Sequence, residues 1–294
     1  MESRPALDLD ALRAIDVHTH CEVSASGHRS LPDHLVTAAE HHFRSGDDRP
    51  LDLPSMAGYY RARDLACVVF TIDAEASLGH TPIRNEEVIR GAAEHPDVFI
   101  GFASVDPARG AAAIDAAERL VTEHGARGFK FHPTIQRFAP DDRAHYPLYE
   151  AIDGLGVPAL FHSGQTGIGA GLPGGGGFLL GLSNPMRLDA VAADFPDLQI
   201  VIAHPSFPWQ EEALAVAHHK ANVWIDLSGW APKYFPPLLV RYAGTLLRDR
   251  VLFGSDYPMI TPDRWLREFD DLPIADEVRP AILKHNAARL LGLT

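Results

Sequence analysis

The chain has 294 residues, 46% of them hydrophobic and 22% charged, with a formal charge of −13. A chain of this length and make-up buries a core without disulfides or a structural metal, so any metal it holds is expected to serve chemistry. The acidic surface repels phosphate backbones and no basic cluster reverses it locally, so nucleic acid is not an expected partner.

From the N-terminus, MESRPALDLDAL carries early acids and no apolar run, so no secretory signal is expected. Eight short apolar runs follow, each bounded by turn residues: AIDV (14–17), ACVVFTI (66–72), VFIGFASV (98–105), ARGFKF (126–131), VPALF (157–161), LQIVIA (198–203), NVWIDL (222–227) and VLFG (251–254). Most are continuously apolar rather than alternating, as strands buried on both faces are. Between them lie helix-like stretches at 86–95, 111–124, 187–195 and 209–219. The second of these places Ile114, Ala117, Leu120 and Val121 on one face. Repeated strand–helix units predict an α/β fold, a single (β/α)8 barrel over 1–294. A doubly wound sheet is the competing layout, and the glycine fingerprint it often carries after its first strand is missing here.

Two segments interrupt the rhythm. Residues 21–60 form a long insertion after the first strand, read as a lid or cap. Residues 164–185, GQTGIGAGLPGGGGFLLGLSNP, follow the fifth strand and are expected at the face where barrel active sites sit. The uncharged stretch 154–186 contains this segment. Repeated Gly and Pro break it, so no membrane span or membrane partner is expected. Only two cysteines occur, Cys21 and Cys67, which suits a reducing cytoplasm rather than a disulfide framework.

The polar residues of interest fall at or just past strand ends. His18 and His20 follow the first strand, Lys130 and His132 the fourth, His162 the fifth, His204 the sixth and Asp256 the eighth. A parallel barrel gathers these ends at one mouth. Positions i and i+2 of a strand share a face, so His18 and His20 can reach one ion, with a third histidine or a carboxylate completing the set. The same residues have blander readings. His132 can hold a backbone carbonyl, Asp16 and Asp226 can brace the first strand or orient a histidine, and Cys21 can pack. His41, His42, His218 and His219 carry no spacing signal and are read as solvated. Trp209, Trp230 and Tyr257 follow strands six to eight and suit a flat ligand or plain loop packing.

Taken together, IDVHTH, GFKFHP, LFHSG, VIAHPS and LFGSDYP resemble the amidohydrolase superfamily. Within it they look closest to the branch of aminocarboxymuconate semialdehyde decarboxylase and related aromatic-acid decarboxylases. The resemblance runs from about residue 15 to HNAARLLGL at the end. It implies one divalent ion, zinc first and manganese second, held by His18, His20, His162 and Asp256. It implies catalytic roles for Asp256 and His204, as base or proton carrier. Lys130, His132, Arg137 and Trp209 are expected to bind substrate, and Glu22 stands as a further candidate beside the metal. Binuclear members carry a carboxylated strand-four lysine, so the state of Lys130 bears on one metal or two. Relatives of this kind are commonly homodimers.

Three functions are open at this level. Metal-dependent hydrolysis of a small organic acid derivative, an ester, lactone or acyl thioester (aryl β-ketoacyl among them), stands first. Non-oxidative decarboxylation of an aromatic or unsaturated acid is the close alternative. A metal-binding barrel without activity is the alternative of another class.

Overall fold

The computed structural model describes residues 7–43 and 49–294. The first six residues, part of the N-terminal segment read above, and residues 44–48 of the insertion lie outside them. Eight parallel strands are present: β1 (Ala14–His20), β2 (Leu65–Phe70), β3 (Phe99–Gly101), β4 (Phe129–Phe131), β5 (Ala159–His162), β6 (Ile200–Ala203), β7 (Val223–Asp226) and β8 (Val251–Leu252). They pair in chain order within a three-stranded group, β1–β2–β3, and a five-stranded group, β4 to β8. Backbone bonds close both seams. Lys130 N–H donates to Ala103 O at 2.7 Å and Ala103 N–H to Gly128 O at 2.9 Å, joining β3 to β4. Val17 N–H donates to Phe253 O at 2.9 Å, and His20 N–H to Tyr257 O at 2.8 Å, joining β8 to β1. The protein is a (β/α)8 barrel.

Strand alternation explains both the core and the site. Phe129, Phe131, Ala159, Phe161, Ile200, Ile202, Val223 and Ile225 belong to the layer between strands and helices. Leu160, Val201 and Trp224 belong to a second cluster with Ile15, Val17 and Phe70, filling the barrel interior. Both faces are therefore apolar, and the runs show no alternation in sequence. By the same alternation Lys130, His162 and Asp226 take inward positions.

The insertion divides differently from the expectation. It holds two helices, Asp33–Phe43 and Leu53–Arg61. The second buries Leu53, Met56, Ala57 and Tyr60 in the main core, at the i, i+3, i+4, i+7 spacing of a packed face. It is the barrel's own first crossover helix, between β1 and β2. At the opposite end of the barrel, Ala287, Ala288 and Leu291 of the closing helix pack beneath β1 and β8. Asn286 locks that helix by donating to Arg248 O and Val251 O, both at 2.8 Å. Among the described residues no helix is long and apolar enough to cross a membrane.

Candidate metal centre and active-site cavity

The strand ends converge on one cleft. His18, His20, Lys130, His132, His162, His204 and Asp256 all line it. The sequence separates them by up to 238 positions, and the barrel brings them to one mouth.

His18 is fully buried, and its two ring nitrogens face different partners. Nδ1 lies 2.7 Å from Asp226 Oδ2, so the N–H is held there and Nε2 keeps its lone pair. Nε2 meets Lys130 Nζ at 3.1 Å and Asp256 Oδ1 at 3.3 Å. His20 Nε2 approaches the same Asp256 oxygen at 3.1 Å. His18, His20 and Asp256 thus form a group whose ligand atoms lie within 4.8 Å of one another, and His18, His204 and Asp226 form a second. The structure therefore contains a His/Asp metal site.

His162 stands outside both groups. Its Nδ1 lies 2.9 Å from His204 Nε2, and its Nε2 is buried with no hydrogen-bond partner among the described residues. A buried imidazole nitrogen left unpaired costs free energy that a bound cation would recover. That orphan atom and the imidazole–carboxylate donor set fit a divalent ion.

Burial governs the protonation of these groups. It holds the His18, His132, His162 and His204 imidazoles below the usual histidine range, most of all the first three. It pulls the Lys130 ammonium down to about 7, against the opposing pull of Asp226 and Asp256. Burial also raises Asp226. At Asp256 burial acts in the same upward sense, but the bond from His20 and the neighbouring imidazoles outweigh it, and the carboxyl sits well below its ordinary range.

Several bracing contacts surround the cleft. Ser228 Oγ lies 2.8 Å from His204 Nδ1 and 2.9 Å from His18 Nδ1, and its N–H donates to Asp226 Oδ1 at 2.6 Å. Asp16 accepts from His18 N–H, Ser255 N–H and Tyr60 O–H, tying β1 to the loop after β8. His204 and Asp256 both adopt left-handed backbone, with φ of 71° and 66°. Such positions cost about 1–3 kcal/mol and cluster at functional sites. Glu22 bonds Ser30 and lies 3.9 Å from His20 Nδ1, so it faces the back of that imidazole.

Other expectations land elsewhere. His132 does line the cleft, yet its Nδ1 accepts from Ile135 N–H at 3.4 Å, and its ring stacks on His162 with centroids 3.7 Å apart. Arg137 and Trp209 are not among the lining residues. Arg137 turns outward at a left-handed position (φ 59°) that ends the turn Pro133–Gln136. Trp209 precedes the helix Gln210–His219 and leaves the aromatic place in the wall to Trp230. Cys21 packs in the core cluster and also touches the cleft, where burial pushes its thiol up to about 12. His41, His42, His218 and His219 are exposed. Sequence reasoning missed the apolar walls: Leu31 and Phe43 from the insertion, Ile72, Ile135, Ile168 and Met259. None carries a motif, because apolar residues of a wall and of a core read alike.

Known proteins place this architecture. The amidohydrolase family model matches residues 15–293. The chain belongs to the amidohydrolase family. It is an enzyme of the hydrolase or carboxy-lyase kind. A TIM-barrel protein of Bordetella bronchiseptica is similar at 23% identity and TM-score 0.76, over 95% of this chain and 98% of that one. The 5-carboxyvanillate decarboxylase of Sphingomonas paucimobilis matches at 18% identity and TM-score 0.66, over 96% and 100%. A dihydroxybenzoic acid decarboxylase of Polaromonas, solved with manganese and the inhibitor 2-nitroresorcinol, matches at 18% and 0.63, over 96% and 97%.

Proposed function

We propose that the protein is a metal-dependent decarboxylase of an aromatic or unsaturated acid, with a single ion held by His18, His20, His162 and Asp256. The observation that carries this reading is the two-sided cleft. Its floor is imidazole-rich, with Lys130 and Asp256 among the rings, and its walls are Leu31, Phe43, Ile72, Ile135, Ile168, Trp230 and Met259. Such a cleft suits a flat apolar ring bearing a carboxylate. The decarboxylases named above share the fold and support this order over hydrolysis, which the motifs alone put first. Manganese in the Polaromonas structure supports manganese beside zinc as the ion.

When bound, the ion supplies Lewis-acid polarisation of the carboxylate and an adjacent oxygen. Lys130 holds the carboxylate from the floor. Asp226 and Ser228 keep His18 and His204 in fixed orientations. A proton from solvent, relayed through His204 or Asp256, adds to the ring carbon that carries the carboxylate. The ring–carboxylate bond then breaks, its electron pair returns to the ring, and CO2 leaves. The acid anion plus one proton gives the arene and CO2.

Hydrolysis of an ester, lactone or acyl thioester is the second reading. It is favoured by Lys130 Nζ, an N–H donor 3.1 Å from His18 Nε2, where a developing oxyanion would be stabilised. The test supplies manganese- or zinc-reconstituted protein with hydroxybenzoates, unsaturated diacids, lactones and aryl thioesters. CO2 release from an acid, without acid release from the neutral esters, is the expected result. Hydrolysis with no CO2 from any acid overturns the proposal.

A further inference from the structure

Ser228 follows β7 and is fully buried, and its hydroxyl sits between two histidines. Oγ lies 2.9 Å from His18 Nδ1 and 2.8 Å from His204 Nδ1. The other ring nitrogen of His204, Nε2, lies 2.9 Å from His162 Nδ1. Asp226 closes the row, with Oδ2 2.7 Å from His18 Nδ1 and Oδ1 accepting from Ser228 N–H. Asp226, Ser228, His204 and His162 thus form a continuous row of polar contacts behind the metal site, and none of them is more than 6% exposed to water, apart from Asp256-side groups that take no part in it. Room for the row is reserved by Gly229, at φ 72°, where a β-carbon would stand 2.5 Å from His204 Nδ1.

Counting hydrogens gives the row a direction. A neutral imidazole carries one N–H and one lone pair. The Asp226 carboxylate only accepts, so the His18 hydrogen lies on Nδ1, and Ser228 cannot donate to that atom. Two arrangements of the remaining hydrogens exist. In the first, Ser228 donates to His204 Nδ1, His204 Nε2–H donates to His162 Nδ1, and the His162 hydrogen is forced onto Nε2. That nitrogen is the buried one without a partner, and as an N–H it could bind no cation. In the second, His162 Nδ1–H donates to His204 Nε2, His204 Nδ1–H donates to Ser228 Oγ, and Ser228 donates to Asp226. This arrangement leaves His162 Nε2 with its lone pair. One observation favours it: against the burial that raises Asp226, the Ser228 side chain is among the groups that hydrogen-bond the carboxylate. A hydroxyl that spends its hydrogen there has only a lone pair for His204.

We infer that Ser228 and His204 are positioning residues that carry the hydrogen-bond polarity of Asp226 to His162, so that His162 presents its Nε2 lone pair to the ion. One carboxylate then orients two ligands, His18 directly and His162 through Ser228 and His204. Both nitrogens of His204 are committed to the row, and proton transfer in the proposed reaction falls to Asp256. The inference rests on the reading of His162 as a metal ligand.

The test records histidine 15N–1H correlation spectra of the full chain with its metal chelated away, which distinguish Nδ1–H from Nε2–H rings. Each ring is assigned by the signals lost in its own His→Gln variant. Wild type is expected to show the Nδ1–H form at His18, His162 and His204. In Ser228→Ala, His204 Nδ1–H loses its acceptor. His204 and His162 are then expected to turn to the Nε2–H form, while His18, held by Asp226, stays as it is. The manganese dissociation constant of that variant is expected to rise about 10–100-fold, as when an outer partner of a ligand is lost. An Nε2–H ring at His162 in the wild type overturns the inference without any need for Ser228→Ala to fold. Unchanged tautomers or unchanged manganese affinity in Ser228→Ala overturns it as well. Protein that shows the expected tautomers and binds manganese, but releases no CO2 from any acid, defeats the decarboxylase reading alone.

Discussion

His18 divides its two nitrogens between Asp226 and the open cleft, and this division makes it useful as a ligand. Its neighbour in spacing, His20, shares Asp256 with it. Asp256 touches both imidazoles and reaches the cavity, so it can serve as ligand and as proton carrier. Asp256→Asn keeps the shape and three imidazoles but loses the titrating oxygen. Turnover of the substrate identified above is expected to fall about 10²–10⁴-fold, with the folded circular-dichroism spectrum and bound metal retained. Unchanged turnover would remove Asp256 from the proton path. Much of this was readable at residue level, because period 2 puts His18 and His20 together and His162 ends β5, while Asp256 lies in the loop after β8. Arg137 and Trp209 were not readable in the same way. Past a strand end the backbone turns freely, and one left-handed residue at Arg137 points its side chain away from the mouth.

At the scale of elements, all eight strands lie largely within the apolar runs, and β3 takes only Phe99–Gly101 of a longer one. Hydrophobicity marks burial, and hydrogen-bond pairing then selects which buried residues become strand. The helix Leu53–Arg61 announced itself through its apolar spacing but was hidden by the length of the surrounding insertion. The clearest constraint that composition conceals lies after β8. A β-carbon on Gly254 would stand 2.7 Å from Asp226 Oδ1, 2.9 Å from Ser228 Cβ and 3.2 Å from His18 Cβ. All three contacts fall on the residues that orient the metal site. Gly254→Ala is expected to destabilise by about 1–3 kcal/mol, the usual cost of overpacking. It should also reduce metal content and turnover more than its melting temperature explains. Urea titration, metal analysis and assay of the same preparation measure all three, and wild-type values throughout would show that the loop yields freely.

The whole molecule carries thirteen net negative charges, yet its cleft gathers imidazoles and Lys130. Long-range attraction of an anionic substrate is therefore weak, and recognition falls to groups inside the mouth. The two possible clusters share His18. Elemental analysis of purified protein is expected to find close to one divalent ion per chain. His18→Ala with His20→Ala should abolish it. Two ions per chain would instead make Lys130 a bridging ligand after carboxylation.

The ring of strands is unevenly made. Its pairing is continuous within three strands and within five, and the two groups meet only along narrow seams. One of those seams runs between His18 and His20 on β1 and Asp256 after β8, the same residues that would grip the ion. A cation there would be a rivet as well as a reagent: it would fasten the first part of the chain to the last, across a seam that backbone hydrogen bonds already close.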